Sequence, residues 1–324
     1  MRAAPGHTFP TDHQYIYISG FSGAGAAPVA LVAPGNVTVT RGRRTQYSVG
    51  TTNVDYSLEF SSCRETHAEF GHVRTVSASL LPQLGAFDQN CDTYSPNPGL
   101  TVASCYTGSI AVQVNAGDAL GTTAGLDLSM FDSLVPSLTY ANASRWTTTS
   151  DGFDHVHVVP FSDYHAEPAR TTVQSLLGSF DGRVKRTVPP IGGTVATDVV
   201  GTAQGTWFNP AQPTYPEQAH LAIVPDNVDP TMITHLDGAV AAWDAGERVP
   251  DAAGGERAGE PGPVADRRGR EDLLLRLVGG WGAMLLQLVD ATTLRVEGRT
   301  TGAGQTCARQ QSWGFTGAAF TYRR

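Results

Sequence analysis

The chain of 324 residues is poor in charge: 16% of its residues are Asp, Glu, Lys or Arg, the formal net charge is -8 and the pI is near 5.5. No basic stripe runs along it, so no field draws a phosphate backbone and nucleic acid is not an expected partner. Long apolar runs are missing as well. The best candidate, 273–288, is interrupted and falls short of the roughly 20 apolar residues a helical span requires, so no membrane span is expected. Leu/Glu/Lys-rich periodic stretches are nearly absent, which excludes a helical bundle. The four cysteines, Cys63, Cys91, Cys105 and Cys307, are few for a disulfide scaffold, and none forms the C-x-x-C pair of a zinc or redox motif. There is no G-x-S-x-G elbow for a serine hydrolase, and the glycines at 201 and 205 have no following lysine to make a phosphate loop. The start, Met1-Arg2-Ala3-Ala4-Pro5-Gly6, has no apolar core of a signal peptide. No internal repeat of fixed period is found.

What the sequence does have is 36 glycines and 20 prolines, which punctuate many short alternating segments. Strands are predicted at 15–18, 29–32, 37–40, 56–60, 67–73, 110–114 and 126–131, with turns at Pro34-Gly35-Asn36 and Asn115-Ala116-Gly117-Asp118. Helices are predicted only at 76–84 and at 167–177, where Pro168 suits a first turn and Gly178 a stop. A Ser/Thr/Asp-rich stretch at 147–151 marks a domain boundary, dividing the chain into 1–146 and 147–324. The second part reads as all-β, with strands at 193–199, 205–208, 220–224, 285–289 and 293–297 and a terminal segment at 312–322. Its stretch 245–270 is rich in Gly, Ala, Pro, Glu and Arg with few apolar anchors, and is expected to be a disordered or solvated insertion. Cys91 and Cys105 flank a Pro/Gly/Ser-rich loop. A disulfide closing that hairpin is sterically reasonable and would favour an oxidising compartment, and two buried thiols are the alternative.

Five strings occur in a telling order: His13-Gln14-Tyr15-Ile16-Tyr17, Leu31-Val32-Ala33-Pro34-Gly35-Asn36-Val37, Gly71-His72-Val73, Val114-Asn115-Ala116-Gly117-Asp118-Ala119-Leu120-Gly121, and Leu126-Asp127-Leu128-Ser129-Met130. Together they resemble the lysostaphin-like zinc endopeptidases that cut peptidoglycan cross-bridges, a β fold called the duplicated hybrid motif. In that family H-x-x-x-D supplies two zinc ligands, a V-x-A-P-x-x-G-x-V hairpin follows, then G-H-L with a catalytic His. A V-x-x-G-x-x-I-G turn comes next, and finally H-x-H-F-E with a second catalytic His and the third ligand. The resemblance implies a mainly β protein: an N-terminal peptidase-like antiparallel β-sandwich over 1–146, followed by a C-terminal all-β domain with few short helices.

On this correspondence His13 keeps a ligand position and His72 a catalytic one. Tyr17 stands where the family has its aspartate ligand, Asp127 replaces the third histidine ligand, and Gly125 falls where the second catalytic His belongs. A catalytic zinc takes three His or carboxylate donors plus an open position for water. Only His13 and Asp127 qualify directly, and the lost histidine removes a donor for the developing oxyanion. The resemblance therefore implies an exported, extracellular or periplasmic bacterial protein whose first domain is degenerate and non-catalytic. It would bind a cell-wall glycan or peptide in a groove lined by His13, Tyr17, His72 and Asp127, with no cofactor required. The alternative is a zinc-dependent hydrolase with His13 and Asp127 on the metal and His72 catalytic.

A second candidate metal pair is His155 and His157 in Asp154-His155-Val156-His157. In a strand the two would project from one face, and the ordinary reading is a half-buried strand with hydrogen-bonded imidazoles. Asp226, Asn227 and Asp229 could bind calcium, although an Asp-Asn-x-Asp-Pro turn more often caps backbone groups.

Overall fold

The computed structural model describes residues 12–18, 27–47, 53–97, 100–143, 155–179, 182–212, 219–231, 233–237, 248–249, 273–276, 282–300 and 314–324. The protein is mainly β with antiparallel sheets and few short helices. Among the described residues no helix is long and apolar enough to cross a membrane. The chain divides into two compact units, one built chiefly from Asp12–Leu138 with Gly152–Gly193, the other from Thr139–Asp151 with Thr194–Arg324. The first unit thus extends beyond the expected boundary at 146 and takes in a further segment ending at 193.

The first unit is one sheet of nine strands: β1 (His13–Tyr17), β2 (Val29–Val32), β3 (Val37–Tyr47), β4 (Val54–Ser61), β5 (Thr66–Val76), β6 (Gln89–Asn97), β7 (Leu100–Tyr106), β8 (Val112–Val114) and β9 (Ala119–Asp132). Their order is β1-β9-β5-β4-β3-β7-β6, with β2 beside β9 and β8 beside β3. Strict alternation decides its two faces. Leu58, Phe60, Ala68, Phe70, Leu126, Leu128 and Met130 point to one side and are buried. Leu80, Leu84, Val159 and Phe161 join the same core. Phe70 sits at its centre, with ring centroids 4.7 Å from Phe60 and 5.7 Å from Phe161. Each such ring, fully buried, stabilises the fold by roughly 1.5–3 kcal/mol.

The segment after β9 is pinned to the sheet by hydrogen bonds. Val159 N–H donates to Met130 O (2.9 Å), and the side chain of Gln14 on β1 reaches it from the core side. Gln14 Nε2 donates to Gly192 O (2.9 Å) and to Ser162 Oγ (3.2 Å), while Ser162 N–H donates to Gln14 Oε1 (2.8 Å). A buried amide is affordable only when its groups are matched in this way.

The predicted helix at 76–84 contracts to α1 (Leu81–Leu84), since Val76 ends β5 and Ser77 turns the chain, its Oγ accepting from Leu80 N–H (3.2 Å). The helix expected at 167–177 forms as α2 (Ala169–Gln174) with Pro168 before it. The segment around His155 and His157 is not a strand but a short 3-10 turn, His155–His157. The strand on which the sequence reading placed the two histidines on one face is therefore not present there. Cys91 and Cys105 form a disulfide across the β6–β7 hairpin.

The second unit holds two four-stranded antiparallel sheets. One is β10 (Gly205–Trp207), β11 (Leu221–Pro225), β12 (Ile233–Asp237) and β13 (Arg248–Val249); the other is β14 (Leu273–Arg276), β15 (Gly282–Asp290), β16 (Thr293–Thr300) and β17 (Phe320–Arg323). Trp207, Leu221 and Ile223 of the first share a core with Met284, Leu286, Leu294, Val296 and Tyr322 of the second. The Asp226 turn caps backbone groups: Asp226 Oδ1 accepts from Val228 N–H (2.8 Å) and Asp229 N–H (2.9 Å). Apart from β13, the expected insertion at 245–270 lies outside the described residues.

Candidate functional site

The face of the first sheet opposite its core is polar, and strand register sets its side chains in rows. His13 pairs with Ser129, which pairs with Glu69, which pairs with Glu59, which is followed by Arg41 on β3. The next row runs from Tyr15 through Asp127 to Gly71, and the next from Tyr17 to Gly125. Further along this face, Arg41 pairs with Glu59 (2.7 Å) and stacks on Tyr106 (4.4 Å to the centroid), and Arg43 pairs with Glu69 (3.1 Å). Burial pushes the Glu69 carboxyl upward, and the Arg43 charge opposes that. Each buried carboxylate here meets a partly exposed arginine of opposite sign, so these pairs form an ionic cluster beside the histidines rather than an open site.

At the β1, β9 and β5 end, His13, His72 and Asp127 converge. His13 Nε2 lies 3.7 Å and His72 Nε2 3.2 Å from the same oxygen, Asp127 Oδ2. The opposite nitrogen of each ring is held by another carboxylate: His13 Nδ1 by Asp12 Oδ1 (2.5 Å) and His72 Nδ1 by Asp55 Oδ2 (2.7 Å). Tyr47 O–H donates to that same Asp55 oxygen (3.1 Å). The resulting row, Tyr47, Asp55, His72, Asp127, His13, Asp12, crosses β3, β4, β5, β9 and β1. Tyr17 lies beyond it, its ring parallel to that of Tyr15 at 5.9 Å, and Tyr15 meets the His13 ring edge-on at 4.7 Å.

Local backbone aims His72 into this row. Strands β5 and β9 slip register between the Gly71–Asp127 and Val73–Thr123 pairs, and His72 occupies the left-handed region with φ 58°. A non-glycine residue there is uncommon and costs of order 1 kcal/mol or more, so the surroundings must hold it. Thr123 Oγ does so, donating to His72 O (3.0 Å). Gly71 leaves the room: a Cβ there would stand 3.3 Å from Asp127 Cβ.

Electrostatics follow from the row. For His72 the bonds to Asp127 and Asp55 outweigh burial and lift the imidazole to about 10. For His13 burial alone would lower the value, but the Asp12 hydrogen bond and the Asp12, Asp127 and Glu69 charges raise it to about 9. Both rings are cationic at neutral pH, set among three carboxylates.

The structure therefore brings together three of the four groove residues expected from the sequence, and places Tyr17 on the same face. His157 lies elsewhere, its Nδ1–H donating to Val135 O (3.0 Å); the His155 side chain is outside the described residues. Asp12, Tyr15, Tyr47 and Asp55 were not part of the expected site. Asp12 carried a signal in its adjacency to His13, whereas Asp55 and Tyr47 reach the site only through strand register. Among the described residues no group of three or more His, Cys, Asp or Glu side chains is placed to hold a metal ion. No family model, curated protein or solved structure matches the chain.

Proposed function

We propose that the first unit is a non-catalytic binding module of an exported bacterial protein. In this reading it derives from the lysostaphin-like sandwich and engages a peptidoglycan glycan or peptide on its polar sheet face. The observation that carries the reading is the carboxylate-flanked histidine pair. His13 and His72 each set Nδ1 on an aspartate of its own, Asp12 and Asp55, and turn Nε2 toward Asp127, and on the resemblance Tyr17 and Gly125 stand where a peptidase needs a carboxylate ligand and a second histidine. Such a row offers N–H donors and carboxylate acceptors beside the stacked Tyr15 and Tyr17, a combination suited to hydroxyl and amide groups of a sugar or peptide. The Cys91–Cys105 disulfide supports an oxidising compartment.

A second reading, a zinc-dependent hydrolase, is favoured by one feature: both imidazoles turn Nε2 toward a common carboxylate while a carboxylate holds Nδ1, as metal-bound histidines do. The two separate in one experiment. The parent and a His13→Ala/Asp127→Ala variant are sedimented with insoluble peptidoglycan, the supernatant is assayed for released fragments, and zinc is measured in the purified proteins. The binding reading expects co-sedimentation that weakens in the variant, with no fragments and no zinc. Stoichiometric zinc lost in the variant, or fragment release, would replace it with the hydrolase reading.

A further inference from the structure

Resting on that same site, we propose that Asp55, backed by Tyr47, is the positioning residue that fixes which edge of His72 faces the ligand. His72 is half exposed, with 52% of its side chain accessible, and it stands on a backbone bulge in the left-handed region. Neither packing nor its own strand therefore sets the orientation of its ring. An imidazole on a surface bulge can flip about its last torsion, which puts a ring carbon where each nitrogen was, Cδ2 for Nδ1 and Cε1 for Nε2, and its broad, roughly two-fold potential opposes this weakly. Asp55 removes that freedom. Its side chain is 18% exposed, less than that of the histidine it holds, and it accepts from His72 Nδ1 at 2.7 Å. The Tyr47 hydroxyl, from the neighbouring strand β3, donates to the same oxygen and fixes the carboxylate in turn. With Nδ1 occupied on the β4 side, only the Nε2 edge can face Asp127.

The site's working edge is then a donor, an acceptor and a donor: His72 Nε2–H, the Asp127 carboxylate and His13 Nε2–H, with Asp12 holding His13 as Asp55 holds His72. That edge matches neighbouring hydroxyls of a sugar, or the carbonyl and N–H of an amide. Asp55 touches none of these groups, and it acts on the ligand only through the ring it orients.

The test needs no ligand for its first arm. Proton–nitrogen correlation spectra of the imidazole rings are recorded at neutral pH for the full chain and for Asp55→Ala, Asp55→Asn and Tyr47→Phe, with backbone amide spectra to confirm the fold. The parent should show a protected, downfield Nδ1–H on His72. Asp55→Ala should lose it, while Asp55→Asn, whose amide oxygen still accepts, should keep it. In the second arm, co-sedimentation with insoluble peptidoglycan should weaken about tenfold in Asp55→Ala, the scale of one hydrogen bond to a charged group, and stay within about threefold in Asp55→Asn. Tyr47→Phe should fall between them in both arms. His72 ring signals that are unchanged in Asp55→Ala, or lost equally in Asp55→Ala and Asp55→Asn, would overturn the assignment. A parent with the expected ring signals but no affinity for peptidoglycan would leave the assignment standing and defeat the proposed function instead.

Discussion

Raising the pH should loosen the first unit, and His13 is the residue through which to measure it. Its folded value, about 9, lies above the ordinary 6.5 for histidine. A group held above its unfolded value contributes fully below about pH 6.5, and its contribution is lost as pH climbs through 9. At 1.36 kcal/mol per pKa unit the shift sets a ceiling of about 3 kcal/mol. Coupling to His72 through Asp127, and partial exposure of the ring, bring the expected loss to about 1–2 kcal/mol. His72 shifts in the same direction, up to about 10, but half of it faces solvent and screening makes its share small. The assay is urea denaturation followed by far-ultraviolet circular dichroism at pH 6.5, 8 and 10, on the parent and on His13→Gln. With a urea slope of about 1–3 kcal/mol per molar, the parent's midpoint should fall by roughly 0.5–1 M across that range and that of His13→Gln by much less. A control is built into the chain: Trp146, Trp207, Trp243, Trp281 and Trp313 all fall outside 12–138 and 152–193, so tryptophan fluorescence does not report the first unit. A parent midpoint that does not move, or an equal slope in the variant, would refute the ion-pair reasoning.

Three further outcomes are expected. Gly121→Ala should destabilise the first unit by about 3 kcal/mol or more, because a Cβ there would lie 1.8 Å from Thr75 O, backbone that cannot yield; a thermal melt checks it. Gln14→Ala should cost about 2–4 kcal/mol by orphaning Ser162 N–H and Gly192 O, and hydrogen exchange at Ser162 should accelerate before that of the central strands. Replacing Cys91 and Cys105 by serine together should lower stability by about 2–3 kcal/mol, read from the same urea curves, and should leave binding at the β1 and β9 end unchanged.

The strands that bury one face were legible in the sequence because burial writes alternation into them: β4, β5 and β9 overlap the stretches where Val, Leu and Phe alternate with polar residues, and β2 is a short apolar run bounded by turn residues. The far half of β3 was not, since Arg41, Arg43 and Thr45 face the polar side and no apolar period marks them. Strand β6 was missed for a related reason. It lies at the end of the sheet, exposed over 89–95, so neither face demands hydrophobic residues. His-Val-His at 155–157 misled in the opposite sense, because three residues are too few to tell a strand from a tight turn. Of the site, His13, His72 and Asp127 were readable from motif order. Asp55 and Tyr47 were not, because their place beside His72 comes from the pairing of β3, β4 and β5, and no local spacing encodes it.

The Gln14 bonds set a practical limit on how this protein can be divided. A fragment ended at residue 146, where composition changes, would strip Val159 and Phe161 from the apolar side of the sheet and expose Phe70. It would also leave a carboxamide without its acceptors beneath the strand that presents His13 and Tyr15. A piece that keeps these contacts under the histidine row therefore runs on to about residue 193.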